Sequence, residues 1–142
     1  MTSKINLLIT GATGFVGREL VRSLLLTKKF NIKITKRSDK IYFNEKVVEF
    51  NFGNLENFVD KKNILNNIDI IIHLAGRAHQ VGNKKKDYFE KYQKANQDSI
   101  SNLANIASKS GVKKFIFLST LKVNGENNSK QYPFVESNQA NP

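Results

Sequence analysis

The fold of this chain is decided by residues 5–17, which read INLLITGATGFVG. The short apolar run from Ile5 to Ile9 predicts a buried parallel strand. Glycines with the spacing G-x-x-G-x-x-G follow this run, and apolar residues then recur at helical spacing with charged residues on the opposite side. A strand, a glycine turn and a helix in this order form the context in which such glycines bind a nucleotide.

Each glycine of this turn has a predicted physical role. Gly11 allows backbone angles that a Cβ resists, Gly14 lets the backbone approach a pyrophosphate, and Gly17 lets the helix pack closely on the strand. The N–H groups at the start of the helix then face the phosphates. An ordinary glycine turn is the alternative, but the flanking strand and helix favour a dinucleotide site. The predicted contacts of this turn are Gly11, Thr13, Gly14, Phe15, Val16 and Gly17.

Length and composition predict one domain of 142 residues. The absence of cysteine excludes a disulfide framework, a thiolate metal site and a cysteine nucleophile. The first residues show no signal-peptide pattern, and no apolar run approaches the ~20 residues that span a bilayer. We therefore expect a cytoplasmic protein without a membrane segment.

The net charge of +11 raises the question of nucleic-acid binding. The lysines, however, occur in short scattered clusters without the interleaved aromatic residues that single-strand binding favours. A solvated basic surface is therefore the favoured interpretation. His73 and His79, two histidines without nearby carboxylate ligands, make a poor metal site, so we predict none.

Apolar patterns along the rest of the chain predict strands alternating with helices. This alternation indicates an α/β protein with a Rossmann-type doubly wound parallel sheet in the order 3-2-1-4-5, and with ligands bound over the carboxyl ends of the strands. Beyond the first strand, the predicted strands are 31–35, 47–52, 68–74 and 114–120, and the predicted helices are 14–27, 55–66 and a long segment that ends before Gly111.

The second predicted strand ends in Lys36 and Arg37. At this position of a dinucleotide fold an acidic residue holds the ribose hydroxyls, and a basic residue accommodates a 2′-phosphate. The basic pair therefore favours NADP over NAD as the cofactor. Two solvated loop charges are the alternative.

Two further segments reach the same edge of the predicted sheet. Leu74, Ala75, Gly76 and Arg77 end the fourth strand, and their small members would let a cofactor lie against the backbone. The dipeptide Ser119-Thr120 ends the fifth strand. Because the carboxyl ends of parallel strands share one edge, we expect these segments and the glycine turn to meet in one crevice.

Three motifs now resemble a known family: TGATGFVG at 10–17, HLAG at 73–76 and LSTLKVNGE at 118–126. They look like the extended short-chain dehydrogenases/reductases, and most like the bacterial UDP-sugar 4-epimerase/4-reductase branch of the nucleotide-sugar epimerases, dehydratases and 4-ketoreductases. The resemblance covers essentially the whole chain. It implies an NAD(P)-dependent oxidation or reduction at C4 of a UDP-hexose, as in polysaccharide synthesis.

The resemblance also implies roles for individual residues. Thr120 matches the family's catalytic Ser/Thr, which hydrogen-bonds the sugar hydroxyl or ketone, and Ser119 is a weaker candidate. Asn96 matches the asparagine that opens the family's long central helix and supports the active site. Leu55 and Asn54 stand in the family's Gly-Asp-Leu segment, where Asn54 replaces the carboxylate that contacts adenine; its amide can still accept a bond from the adenine amino group. A second departure is Ser99-Ile100, where the family usually has Gly-Thr.

The family's acid/base is a tyrosine four residues before a lysine, and the matching helix would begin near the end of this chain. Tyr42 and Lys46 have this spacing, but they lie between the second and third predicted strands. Tyr132 has Glu136 at the lysine position. We therefore expect residues 1–142 to be an incomplete NAD(P)-binding Rossmann domain, truncated before the later strands and the substrate-binding part, and inactive alone.

Three hypotheses follow from the sequence. The favoured one is the front part of a nucleotide-sugar epimerase or reductase; the others are a non-catalytic NADP-binding sensor or partner-binding module, and a basic nucleic-acid binder. An exposed fifth strand would leave an unpaired edge, which predicts marginal stability, homodimerisation through this edge or a missing partner segment. The sugar, and the choice among epimerase, reductase and dehydratase, stay open.

Overall fold

The computed structural model describes residues 3–43, 46–55, 63–77, 85–125 and 133–141. Strands and helices alternate along them. In chain order they are β1 (Ile5–Thr10), α1 (Phe15–Thr27), β2 (Phe30–Lys36), β3 (Val47–Asn51), β4 (Ile70–His73), α2 (Lys85–Tyr92), a π-helical turn (Gln93–Asp98), α3 (Ser99–Lys109), β5 (Lys114–Phe117) and a 3-10 turn (Leu121–Asn124).

The five strands form one parallel sheet in the order β3-β2-β1-β4-β5. The chain reverses its direction of travel across the sheet at β1, which pairs with β2 on one side and β4 on the other. This arrangement confirms the predicted Rossmann-type sheet and places the carboxyl ends of β1 and β4 at a topological switch point.

Strand β1 is central because it is apolar on both faces. Leu8 packs into a buried cluster with residues of β4 and α3, such as Ile71 and Leu103. Leu7 and Ile9 point to the other face, since successive side chains of a strand alternate, and they pack with Val21 of α1. Helices on both faces thus bury residues 7–10 of β1, whereas Ile5 at its start is exposed.

The largest differences between the observed and the predicted strand ends occur at two strands. β4 begins at Ile70 rather than 68, because the Ile68 amide donates to Leu65 O in a turn. β5 ends at Phe117 rather than 120, since Thr120 instead caps the 3-10 turn.

The two later predicted helices fare differently. Most of the helix predicted over 55–66 lies outside the described residues, and 63–66 form a turn. The long helix is confirmed as 85–109, but a π-helical turn interrupts it. No helix within the described ranges is long and apolar enough to cross a membrane.

Candidate functional site

A cleft of about 310 Å³ lies at the carboxyl ends of β1, β2 and β4. Most predicted cofactor-binding residues line it, namely Gly11, Thr13, Gly14, Lys36, Arg37, Asn54, Leu55, Leu74, Ala75, Gly76 and Arg77. Phe15, Val16 and Gly17 do not: the side chains of the first two are exposed, and Gly17 is buried in α1. The fold thus brings four of the predicted segments to one crevice.

The glycine turn depends on missing side chains at two positions. Gly11 has φ +69°, and a Cβ there would stand 2.5 Å from Ala75 N. A Cβ on Gly17 would stand 2.3 Å from Gly11 O and 2.6 Å from the Ala12 Cα. The first glycine therefore lets the turns after β1 and β4 touch, and Gly17 lets α1 pack closely on the glycine turn, whereas the sequence predicted packing on the strand.

The N-terminus of α1 is open. Gly14 is the N-cap residue, no side chain caps the helix, and its first turn holds no acidic residue. The first intrahelical bond runs from Arg18 N to Gly14 O, so the amides of residues 15–17 have no intrahelical acceptor. Arg18 Nε also donates to Thr13 O at 2.8 Å, which holds the turn against the helix. Such a terminus suits a phosphate.

Lys36 behaves differently from the free cation that the sequence predicts. It lines the cleft, but its Nζ lies 2.9 Å from Glu49 Oε2 and 2.8 Å from Lys40 O. Arg37 also lines the cleft and is exposed, and it has no hydrogen-bond or ion-pair partner among the residues that the structure describes. Of the predicted basic pair, only Arg37 is an exposed cation without an ion-pair partner among the described residues.

The side chain of Asn96 hydrogen-bonds the backbone of the segment that follows β4. Its Oδ1 accepts from Arg77 N at 2.6 Å, and its Nδ2 donates to Arg77 O at 3.2 Å. It lies in the π-helical turn, in the middle of the long helix rather than at its opening. Ala95 and Ser99, which sequence reasoning missed, line the cleft beside it.

Ser119 and Thr120 follow β5 and are exposed, and neither lines the cleft. Thr120 Oγ1 accepts from Lys122 N at 3.3 Å. A more open depression of about 570 Å³ occurs in the C-terminal segment around Phe134 and Asn138. None of the predicted site residues lines that depression, so we place the candidate site at the carboxyl-end cleft.

His73 is fully buried at the end of β4. Its Nδ1 lies 2.8 Å from Thr10 Oγ1, and its ring centroid lies 6.1 Å and 5.9 Å from those of Phe115 and Phe117. Burial lowers the pKa of His73 to about 4, so its ring is neutral at pH 7. His79 lies outside the described residues, and no group of three potential metal ligands occurs within the described ranges.

Sheet order, glycine turn and open helix terminus define a Rossmann-type protein with a dinucleotide-type cleft. The model of the NAD dependent epimerase/dehydratase family matches residues 7–142. The chain belongs to this family.

Two curated relatives are UDP-glucose epimerases by name. The UDP-glucose 4-epimerase of Vibrio cholerae is 37% identical over 136 residues, which are 95% of this chain and 41% of the relative. An uncharacterized UDP-glucose epimerase of Bacillus subtilis (strain 168) is 28% identical over 138 residues, 89% of this chain and 43% of the relative. The chain thus spans about two fifths of the length of these relatives.

Solved structures share the fold. The UDP-N-acetylglucosamine 4-epimerase of Methanobrevibacter ruminantium M1, in complex with UDP-N-acetylmuramic acid, matches with a TM-score of 0.78 and 26% identity over 99% of this chain and 45% of that one. MoeE5 in complex with UDP-glucuronic acid and NAD matches with a TM-score of 0.80, over 96% of this chain and 43% of that one. At 23% identity, the second match shows the fold alone.

Proposed function

We propose that this chain is the NAD(P)-binding portion of a nucleotide-sugar epimerase or 4-ketoreductase that acts at C4 of a UDP-hexose. The observation that carries the proposal is the open N-terminus of α1 over the Gly11–Gly14 turn, at the switch point of the sheet. The substrate class rests on the relatives, which are UDP-sugar epimerases by name.

The lining of the cleft fits the parts of a dinucleotide. A bound nicotinamide cofactor supplies hydride transfer. The amides at the start of α1 would hold its pyrophosphate, Asn54 and Leu55 its adenine, and residues 74–77 its nicotinamide half. Arg37 supports NADP, because its charge would meet a 2′-phosphate at the end of β2, although NAD is the cofactor in the MoeE5 complex.

Two roles remain for residues outside the cleft lining. Thr120 would hydrogen-bond the sugar oxygen, with Ser119 beside it. Asn96 would act as a positioning residue, since it holds both backbone groups of Arg77 in place. Tyr42 is not a credible acid/base: it lies between β2 and β3, where its hydroxyl is 3.3 Å from Ser38 Oγ.

The 142 residues should bind dinucleotide without converting a nucleotide sugar. The reason is that Tyr42–Lys46 is the sequence's sole Tyr-x-x-x-Lys pair, and neither of these residues lines the cleft. Without a tyrosine whose pKa a lysine lowers, proton exchange with the sugar oxygen loses about 10²–10⁴-fold in rate. A turnover assay with UDP-glucose, NAD and NADPH tests this expectation, and measurable product from the purified chain would contradict it.

Gly14→Val should abolish dinucleotide binding. A Cβ at Gly14 would stand 3.2 Å from Gly11 O, a tight contact that needs a small shift of this backbone oxygen, and the isopropyl group would fill the pyrophosphate space. Calorimetric titration with NAD and with NADP measures the loss. Ser23→Val, on the exposed side of the same helix, is the control. Unchanged affinity in Gly14→Val would refute the assignment of the glycine turn.

A further inference from the structure

A buried ion pair lies behind the adenosine end of the cleft. The side chains of Lys36 and Glu49 are each only 8% exposed, and their charged atoms are 2.9 Å apart. The Lys36 ammonium also donates to Lys40 O at 2.8 Å and to Asp39 O at 3.4 Å. A lysine ammonium has three N–H donors, so Lys36 has none left for a ligand.

Glu49 is held in place from its other side. Its Oε1 accepts from Tyr42 N at 3.0 Å and from Phe43 N at 2.7 Å. Burial raises the pKa of Glu49, but the bonds from Lys36 and from these two amides lower it by more, so that its pKa lies below the ordinary value. Glu49 is therefore a carboxylate at neutral pH.

The arrangement changes the charge that a ligand meets. Lys36 ends β2 and Arg37 follows it directly, but the carboxylate of Glu49 neutralises the charge of Lys36. Arg37 is left as the exposed cation, on a backbone anchored at Lys36 and again at Asp39, whose Oδ1 accepts from Asn51 Nδ2 at 2.8 Å.

We propose that Glu49 is a specificity-determining residue of the cleft. By holding the Lys36 ammonium, it keeps a second positive charge away from the 2′ position of the adenosine ribose. The preference for NADP over NAD is then limited to what Arg37 alone supplies. This inference rests on the dinucleotide binding proposed above.

Glu49→Gln is the informative change because it keeps the shape and removes the charge. The glutamine oxygen can still accept from the Tyr42 and Phe43 amides, but its NH₂ group then faces the Lys36 ammonium. Two hydrogen-bond donors cannot pair with each other, so we expect the Lys36 ammonium to turn toward the cleft. A charge-assisted bond to the 2′-phosphate then becomes available.

The experiment measures the ratio of the NAD and NADP dissociation constants by calorimetric titration. In Glu49→Gln the ratio should shift toward NADP by about tenfold, the value of one charge-assisted bond. The matched control is Asp69→Asn, which also removes a carboxylate that pairs with a lysine (Lys113, 2.7 Å) and accepts a backbone amide (Asn6, 2.9 Å). Asp69 directly precedes β4 and so lies at the amino ends of the strands, away from the cleft at their carboxyl ends. This control should therefore leave the ratio unchanged.

A second variant tests whether the Lys36 ammonium causes the shift toward NADP. In Lys36→Met/Glu49→Gln the ammonium is absent, so the ratio should return to that of the unmodified protein. Arg37→Asp should shift the ratio toward NAD. If Glu49→Gln does not fold, the double variant still decides, because a ratio below that of the unmodified protein would mean that Lys36 already serves the ligand.

Two results overturn the proposal: a ratio that does not move in Glu49→Gln while both dinucleotides still bind, and a lowered ratio in the double variant. Failure of the unmodified protein to bind either dinucleotide is a different result, and it refutes the proposed function instead.

Discussion

At the scale of single residues, His73 couples proton binding to folding. Its ring is enclosed by Thr10 and by the aromatic side chains of β5, and its Nε2 has no hydrogen-bond partner among the described residues. A charged imidazolium in this position would lose its hydration without gaining a counter-ion. The neutral ring is therefore the form that the fold accepts, and its pKa falls to about 4.

This pKa predicts that stability declines as the pH falls from 6.5 to 4. In that window the unfolded chain binds a proton at His73 and the folded chain does not, so the free energy of unfolding decreases by about 1.4 kcal/mol per pH unit. Above pH 6.5 His73 is neutral in both the folded and the unfolded chain, so it no longer makes the free energy of unfolding depend on pH. Urea unfolding between pH 5 and 7, compared with His73→Asn, measures the effect. Equal slopes in the two proteins would contradict it.

At the same scale, the residue type of Lys36 predicts a free cation, whereas the structure shows a lysine paired with Glu49. Its position at the end of β2 predicts a ligand contact, and the residue does line the cleft. Its ammonium instead pairs with a glutamate of the neighbouring strand. The signal was present in the sequence, because Glu49 interrupts the apolar run of β3, and a carboxylate in a half-buried strand needs a partner.

At the scale of elements, α1 is placed by its glycines. The helix packs so closely on the preceding turn that a Cβ at Gly17 would overlap Gly11 O and the Ala12 Cα. This close approach directs the open end of the helix at the cleft.

Gly17→Ala should therefore destabilise the protein by about 1–3 kcal/mol, the usual cost of overpacking. The sign is informative, because in an uncrowded helix interior the same change stabilises by about 1 kcal/mol. Urea unfolding measures the difference. Ser23→Ala, at an exposed position of α1, serves as the control and should alter stability by about 0.5 kcal/mol or less. A Gly17→Ala protein as stable as the control would be inconsistent with this packing.

The long helix shows the limit of periodicity. Apolar residues repeat at helical spacing on both sides of Gln93–Asp98, so the sequence predicts one uniform helix. The structure inserts a π-helical turn there, which a period of 3.6 cannot reveal. That turn carries Asn96 opposite the Arg77 backbone and sets Ala95 and Ser99 in the cleft wall.

At the scale of the whole molecule, β5 leaves one side of the sheet open. It is the last strand of the order and pairs with β4, and within the described residues no strand covers its other side. Ile116, Phe117 and Leu118 are exposed along or just after it. A second copy of this chain is the occupant we expect, because unpaired edges and exposed apolar side chains favour strand addition.

We expect the apparent mass to rise above 16.1 kDa with concentration in sedimentation equilibrium. Ile116→Lys should weaken the association, since a charged edge residue opposes strand pairing. Leu26→Lys changes an equally apolar, exposed residue of α1 and should leave the association intact. A monomer at every concentration, or equal effects of both changes, would rule out dimerisation through β5.

Local pattern was enough to establish the class of fold, the sheet order and the glycine turn. Apolar runs predict the strands, and the alternation of strands with helices predicts that the strands pair in parallel. Because crossover connections between parallel strands are right-handed, few strand orders are possible. The family follows from the same motifs and from the match over 7–142. These features depend on neighbours in sequence, so a reader of the sequence can find them.

Tertiary structure alone decided which charges and side chains the cleft presents. Lys36 and Glu49 are 13 residues apart and meet because β2 and β3 pair in register. Asn96 and Arg77 are 19 residues apart and meet through a π-helical turn. Contacts of this kind depend on strand register and helix phase. The residue type indicates which side chains are candidates for a site, and tertiary packing determines which of these candidates face the cleft.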